Sequence, residues 1–391
     1  HLCKIIRKVG DVTISEHKIL DEDIFSAPQK WNKFLGWISW YGNNARDISS
    51  YKQYLFETSA RKKTILLDRF TGRYMKWGLN GVDCLVTSDK VLLLKDGKVE
   101  EINYNEYGYA LIENESEIIF IGQKGIKEDD RMFSIHKPDP TKQVTPEEFL
   151  KVWLGLYGDT VLMKALLGWM LAVFFMPEVL KLLPQRYFPY FFIHGTTKNG
   201  KSTLLESCMK LFGVNGTGSS FADTSLFVEY KDLASISLIP LWRDEFREHG
   251  ANVKMKDNLL RTLYTRSEIE KGRQDQTTII YKPLTTWLLS GEGYPADPAI
   301  RRRCVLFQMS KGLKVAEDDF WENADQAASI FPTFMFDLWK KNIDGRVFQN
   351  IYRETLSTKN ASQEEKICYA TLGAVFGEEF GKQALLEANE Y

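Results

Sequence analysis

The chain has 391 residues and a mass of 45.2 kDa, enough for two or three compact units with buried cores. Hydrophobic residues make up 44% and charged residues 26%, which excludes an intrinsically disordered or collagenous chain. Lys and Arg number 51 against 52 Asp and Glu, so the formal charge is -1 and no bulk positive field covers the surface. Any contact with nucleic acid has to be local.

The five cysteines, Cys3, Cys84, Cys208, Cys304 and Cys368, are dispersed without a C-x-x-C pair, and five histidines are equally scattered. That usage predicts a reducing compartment, no disulfide framework and no zinc. The longest apolar run, Ala165 to Met176, stops at Pro177, well short of the roughly 20 residues of a membrane span. No membrane anchor is expected. A first residue of His and the lack of a signal-peptide pattern suggest a fragment of something longer.

Trp31, Trp37, Trp40 and Tyr41 recur with near-helical spacing and predict a core-facing helix. From Lys63 to Gly122 short β-rich bursts (KTILLD, DCLVTS, KVLLL, YGYALI, SEIIFIG) alternate with Gly, Asn and Asp, the pattern of an antiparallel meander. Residues 1–145 therefore read as a smaller, mixed α/β or β-rich N-terminal domain. A proline-rich stretch, HKPDPTKQVTPEEF, then ends in a capping box with Thr145 as N-cap, Pro146 at the first helical position and Glu148 at the third. Helical periodicity follows over 146–187. Near the other end Ser362 and Glu365 form a second box, opening an amphipathic helix inside a helical region over 316–391.

The strongest signal lies between these helical segments. An aromatic and β-branched strand, Phe188 to Ile193, feeds Gly195-Thr196-Thr197-Lys198-Asn199-Gly200-Lys201-Ser202-Thr203, and an amphipathic helix follows at once. This is G-x-x-x-x-G-K-[ST] in the strand, loop, helix context that gives the pattern meaning. Gly195 and Gly200 let the loop turn its N–H groups toward phosphates, and the helix N-terminus adds partial positive charge. Lys201 is expected to reach the β and γ phosphates of ATP and Ser202 to ligate Mg²⁺. His194 reads as a packing residue at the strand end.

A phosphate loop needs a second acidic element. The apolar segment Ile236 to Trp242 ends in Asp244-Glu245, with Asp244 expected on the metal side and Glu245 as catalytic base. Pro240 removes a ladder donor from that strand and suggests a bulge. Downstream, the tract from Lys254 to Lys282 holds seven basic against four acidic residues. Glu270 to Gln274 inside it looks like a tight turn, so that Lys271 and Arg273 project from a hairpin tip. The strand LTTWLLSGEGYP follows, then Arg301-Arg302-Arg303 before the apolar run Cys304 to Phe307.

Taken in order, these elements over about residues 150–310 resemble superfamily 3 helicases, the ring-forming AAA+ motors of small viruses, phages and plasmids. The likeness is greatest to the poxvirus-type helicase half of phage and plasmid primase-helicases. HGTTKNGKSTLLE is similar to that family's phosphate loop and LWRDEF to its second acidic motif. The resemblance implies a parallel α/β AAA+ P-loop ATPase core over 188–315, an arginine finger at Arg303 or Arg302, and DNA contacts from Lys271 and Arg273. It implies an ATP-dependent helicase or translocase of replication, hydrolysing ATP with Mg²⁺ at the subunit interfaces of a homo-oligomeric ring, a hexamer, around single-stranded DNA. A fused or associated primase or polymerase and the cytoplasm of a bacterial or archaeal host go with that reading. One departure is plain: where the family's sensor strand ends in Asn, spacing to Pro295 puts Glu292, with Ser290 as the other polar candidate. The rival readings are a non-translocating P-loop ATPase acting as an assembly switch or loader, and a P-loop kinase.

Overall fold

A computed structural model describes residues 2–9, 12–19, 63–68, 70–76, 81–105, 108–113, 117–122, 143–185, 187–214, 218–247, 251–272, 278–309, 317–355 and 362–390. The aromatic segment around Trp31 to Tyr41 lies outside the described residues. The chain divides into two compact units, one of residues 1–67 with 111–120, the other of 68–110 with 121–391. In the first, strands β1 (Leu2–Val9) and β2 (Val12–Ile19) pair as an antiparallel ribbon. Strands β3 (Lys63–Asp68), β8 (Tyr109–Glu113) and β9 (Glu117–Gly122) form a three-stranded sheet in the order β3-β9-β8.

Of the meander expected over Lys63 to Gly122, only the middle is present, as the antiparallel strands β4 (Thr71–Lys76), β5 (Val82–Val86), β6 (Lys90–Lys95) and β7 (Lys98–Asn103), while the bursts KTILLD, YGYALI and SEIIFIG fall in the separate sheet β3-β9-β8. The β4 to β7 meander belongs to the second unit, which differs from a domain boundary near 145. The physical reason is a long-range pairing: β12 (Ile236–Ser237) adds in parallel to β4 and continues that sheet. The buried Arg73 of β4 adds a second tie. Its guanidinium donates to Asp83 and to Glu178 Oε1 at 2.6 Å, and to the Phe174 carbonyl at 3.0 Å, while lying over the Phe174 and Phe175 rings. Burial of an arginine is tolerable only with its donors and charge so matched.

Helices α1 (Pro146–Tyr157), α2 (Val161–Phe174) and α3 (Met176–Leu182) open the second unit's main body. Both capping boxes form: Thr145 Oγ1 accepts Glu148 N–H at 3.1 Å while Glu148 accepts Thr145 N–H, and Ser362 and Glu365 do the same at 3.2 Å. Helix α2 is apolar almost all round because it is buried all round. Among the described residues no single helix is long and apolar enough to cross a membrane. With α3, bent from it by 97°, α2 reaches the length and composition of a span, but its side chains are core.

The central sheet runs in the order β11 (Ser219–Ser220), β13 (Leu241–Phe246), β16 (Trp287–Gly291), β10 (Tyr190–His194), β17 (Cys304–Gln308), all parallel. Strands β10, β16 and β17 read as near-continuous apolar runs because both faces are covered, whereas β13 carries Arg243, Asp244 and Glu245. Alternation sorts them: Phe191, Ile193, Leu288, Val305 and Phe307 face one core, and Tyr190, Phe192, Leu241, Trp287 and Leu289 face another. The second core is closed by α5 (Leu226–Ser235), α6 (Ala251–Thr265) and the short α7 (Pro298–Arg301), which contributes Ile300. The first is filled by α2, by α4 (Lys201–Leu211) and by the C-terminal helices α8 (Glu317–Lys341), α9 (Gly345–Thr355), α10 (Gln363–Phe376) and α11 (Glu378–Glu390). The two helical segments that flank the sheet in sequence thus share one core. Helix α2 meets α10 where Gly168 lies against Cys368; a Cβ there would stand 2.2 Å from the Cys368 carbonyl oxygen.

Candidate nucleotide-binding site

The phosphate loop leaves the C-terminal end of β10, in the middle of the sheet, and enters α4. Gly195 packs so close to its surroundings that a Cβ would lie 2.3 Å from the Met309 carbonyl oxygen. Gly200, the N-cap of α4, takes φ +79°, and Lys198 is also left-handed at +67°. No side chain caps α4 at Gly200, so the first N–H groups of the helix remain donors for an anion. Asn199 anchors the loop from outside, its amide donating to Thr196 Oγ1 at 3.0 Å and to the Met309 carbonyl at 2.7 Å.

Lys201 is buried, with Nζ donating to the Gly195 and Thr196 carbonyls at 2.8 Å each. Burial pulls its ammonium below the usual lysine range, against the raising effect of Asp244 and Glu292. An anion docking on it would take up donors now spent on the loop's own carbonyls. His194 is held below the ordinary imidazole range by burial and then by the Lys201 charge, and its ring packs 5.2 Å from Tyr294.

The acidic pair lies inside a strand and not after one. Strand β13 begins at Leu241, one residue past Pro240, because Leu238 adopts φ +57° and breaks the expected run from Ile236. The irregularity sits further on: Arg243 pairs with Leu289 and Phe246 with Gly291, so Asp244 and Glu245 together oppose Ser290. That is a bulge, with Glu245 at φ +54°. In a regular strand two adjacent carboxylates point to opposite faces; here both line the same cleft.

The cleft has a volume of about 620 Å³ and is lined by residues 197–203, 244–247 and 291–293. Asp244 Oδ2 accepts Ser202 Oγ–H at 2.9 Å, and its Oδ1 accepts Ser290 Oγ–H at 2.5 Å and Glu245 N–H at 2.8 Å. Glu292 accepts a hydrogen bond from Thr197 Oγ1 across the mouth. The hard oxygens of Ser202 and Asp244, side by side, fit a divalent cation such as Mg²⁺. The glycine cradle and the uncapped α4 N-terminus fit a phosphate chain.

The structure brings together Thr197 to Thr203, Asp244, Glu245 and Glu292, with Ser290 directly behind them. It does not bring the arginines. Arg303 precedes β17, whose Cys304 pairs with Tyr190, while the phosphate loop starts beyond His194 at the other end of the register. Its guanidinium donates to the Ala299 carbonyl at 3.0 Å and lies 5.5 Å over the Tyr264 ring; Arg302 is exposed. Four or five strand residues, roughly 15 Å, separate Arg303 from its own chain's loop.

The basic hairpin is formed by β14 (Ile269–Gly272) and β15 (Thr278–Tyr281). The expected tight turn over 270–274 is displaced, since pairing continues to Gly272 with Thr278. Lys271 is a strand residue whose ammonium lies 4.4 Å over the Tyr230 ring of α5. Arg273 lies outside the described residues.

Two participants escaped the sequence. Trp242 donates Nε1–H to Ser290 Oγ at 3.2 Å, and Arg243 is buried among Glu229, Asp232 and Lys256. The signal for Trp242 was its spacing: two residues before Asp244, it shares that residue's face of the strand.

No protein-family model matches the chain, and no curated protein matches it in sequence. Among solved structures it is similar to the apo C-terminal region of NrS-1 at 14% identity and a TM-score of 0.39, covering 72% of this chain and 70% of that one. A second structure of that region, residues 305–718, gives 13% identity and 0.32 over 64% and 65% of the two chains. A structure of JCV helicase with a bound thiazolopyridinyl-phenoxyphenyl acetamide gives 15% and 0.25 over 56% and 67%. The functional reading rests on the site.

Proposed function

We propose that this chain binds Mg²⁺-ATP in the cleft and hydrolyses it, as the motor of a DNA helicase that works as a homo-oligomeric ring, a hexamer, on single-stranded DNA. The observation that carries the reading is the meeting of Lys201, Ser202, Asp244 and Glu245 around one glycine-built loop at the strand ends of a parallel sheet. Lys201 exchanges its two loop carbonyls for β and γ phosphate oxygens. Ser202 and Asp244 hold the metal ion, which neutralises phosphate charge. Glu245 accepts the proton of a water whose oxygen attacks the γ-phosphorus, while the bond to the β–γ bridging oxygen breaks and ADP leaves.

The helicase part of the reading is supported by the order of the motifs along the chain: phosphate loop, acidic pair, basic hairpin, sensor strand, arginines. A primase or polymerase partner belongs to the same reading. Steady-state ATPase assays with and without single-stranded DNA test it. Wild type is expected to turn over ATP faster with DNA present, and Lys201→Ala to lose about 100-fold or more of that rate with the fold intact by circular dichroism. Turnover indifferent to DNA would favour a nucleotide-driven assembly switch, and a phosphorylated small product would favour a kinase.

A further inference from the structure

Every hydrogen-bonding position on the inner side of Asp244 is spoken for. Its Oδ1 takes two donors, Ser290 Oγ–H and Glu245 N–H, and Ser290 itself takes Trp242 Nε1–H. A serine hydroxyl owns one proton, and an indole N–H can only donate. Asp244 can only accept, so it takes that proton; Trp242 occupies a lone pair of the same oxygen, and the two bonds together fix the rotation of the hydroxyl. Both residues are buried, Ser290 completely and Trp242 to 5% exposure, so bulk water does not compete for these bonds.

The indole is fixed from several sides. Its ring fills the space beside Gly218, where a Cβ would stand 2.6 Å from its carbons. On the opposite face of the strand Arg243 is locked by Glu229 at 2.9 Å and Asp232 at 2.6 Å. We propose that Trp242 is a positioning residue for the metal-binding carboxylate: acting through Ser290, it ties Asp244 Oδ1 inward and leaves Oδ2 as the oxygen presented to the cation. This rests on the Mg²⁺-nucleotide reading of the cleft. It also divides the two sensor candidates: Ser290 is engaged on the metal side, and Glu292 is the one that lines the cleft.

The test is a Mn²⁺ titration of the full chain with a non-hydrolysable ATP analogue, followed by electron paramagnetic resonance. Trp242→Phe keeps an aromatic ring but removes the donor together with part of the indole's bulk; Ser290→Ala removes the relay and leaves the indole in place. Each is expected to weaken Mn²⁺ binding about tenfold, with affinity for the analogue in EDTA unchanged. Because the two act in series, the double variant should bind Mn²⁺ no more weakly than Ser290→Ala alone. Wild-type Mn²⁺ affinity in Trp242→Phe, or additive losses in the double variant, overturns the proposal. Should Trp242→Phe fail to fold, wild-type metal affinity in Ser290→Ala overturns it equally. A wild-type chain that holds no Mn²⁺ with the analogue sinks the nucleotide reading itself, a result distinct from an intact site indifferent to Trp242.

Discussion

Glu245 takes a left-handed backbone conformation that costs a non-glycine residue about 1–2 kcal/mol. That strain accompanies a carboxylate turned to the mouth of the cleft, beside Arg247 at 3.9 Å and away from the bonds that hold Asp244. The two neighbours therefore have separable roles. Glu245→Gln keeps shape and removes basicity, so ATP is expected to bind with near wild-type affinity while turnover falls about 100-fold or more. Equilibrium binding of a fluorescent ATP analogue beside single-turnover hydrolysis measures both. Hydrolysis at the wild-type rate would remove Glu245 from the role of base. The phosphate-loop motif was legible in the sequence because its parts are contiguous: Gly195, Gly200, Lys201 and Ser202 fall within a stretch of eight residues. Trp242 and the Thr197–Glu292 contact were not, since each depends on which strand lies beside which.

At the scale of elements the same distinction holds. The helix starts at Thr145 and Ser362 were readable because a capping box closes within four residues. The start of β13 was not, because the break at Leu238 and the bulge at Asp244 and Glu245 are set by pairing with β16. The meander's membership of the second unit was equally hidden, as β12 meets β4 across most of the intervening chain and Arg73 finds Glu178 on α3. The crossing of α2 and α10 is another such contact, and Gly168 is what permits it. A methyl there meets the Cys368 carbonyl backbone, which has no flexible end to move. Gly168→Ala is expected to destabilise the unit by about 1–3 kcal/mol despite alanine's better helix propensity. Chemical denaturation at equilibrium measures this, and a stability equal to or above wild type would mean that the two helices can separate freely.

For the whole molecule, the decisive geometry is the separation of Arg303 from the cleft of its own chain. The sheet register puts it at the strand end opposite the phosphate loop. There it is braced by the Ala299 carbonyl and the Tyr264 ring; Tyr264 in turn stacks on Tyr187 at 4.8 Å and donates to Glu364 of α10 at 2.8 Å. A guanidinium held this way is rigid and tied to the C-terminal helices, which is what a group reaching into a neighbour's site requires. If it serves a second copy of the chain, a chain lacking Arg303 still has a complete loop, and one lacking Lys201 still has a complete finger. Arg303→Ala and Lys201→Ala should each be inactive alone. Mixed in equal amounts and assembled at random, they should recover about a quarter of the wild-type rate, because only an intact loop facing an intact finger hydrolyses and half of each is present. The measurement is ATPase activity across a series of mixing ratios, with assembly verified by mass. Recovery peaking at equal amounts assigns Arg303 to the neighbour's nucleotide. Inactivity at every ratio in verified rings, or full activity of Arg303→Ala alone, removes it from hydrolysis and leaves the Tyr264 bracket a structural device of the fold.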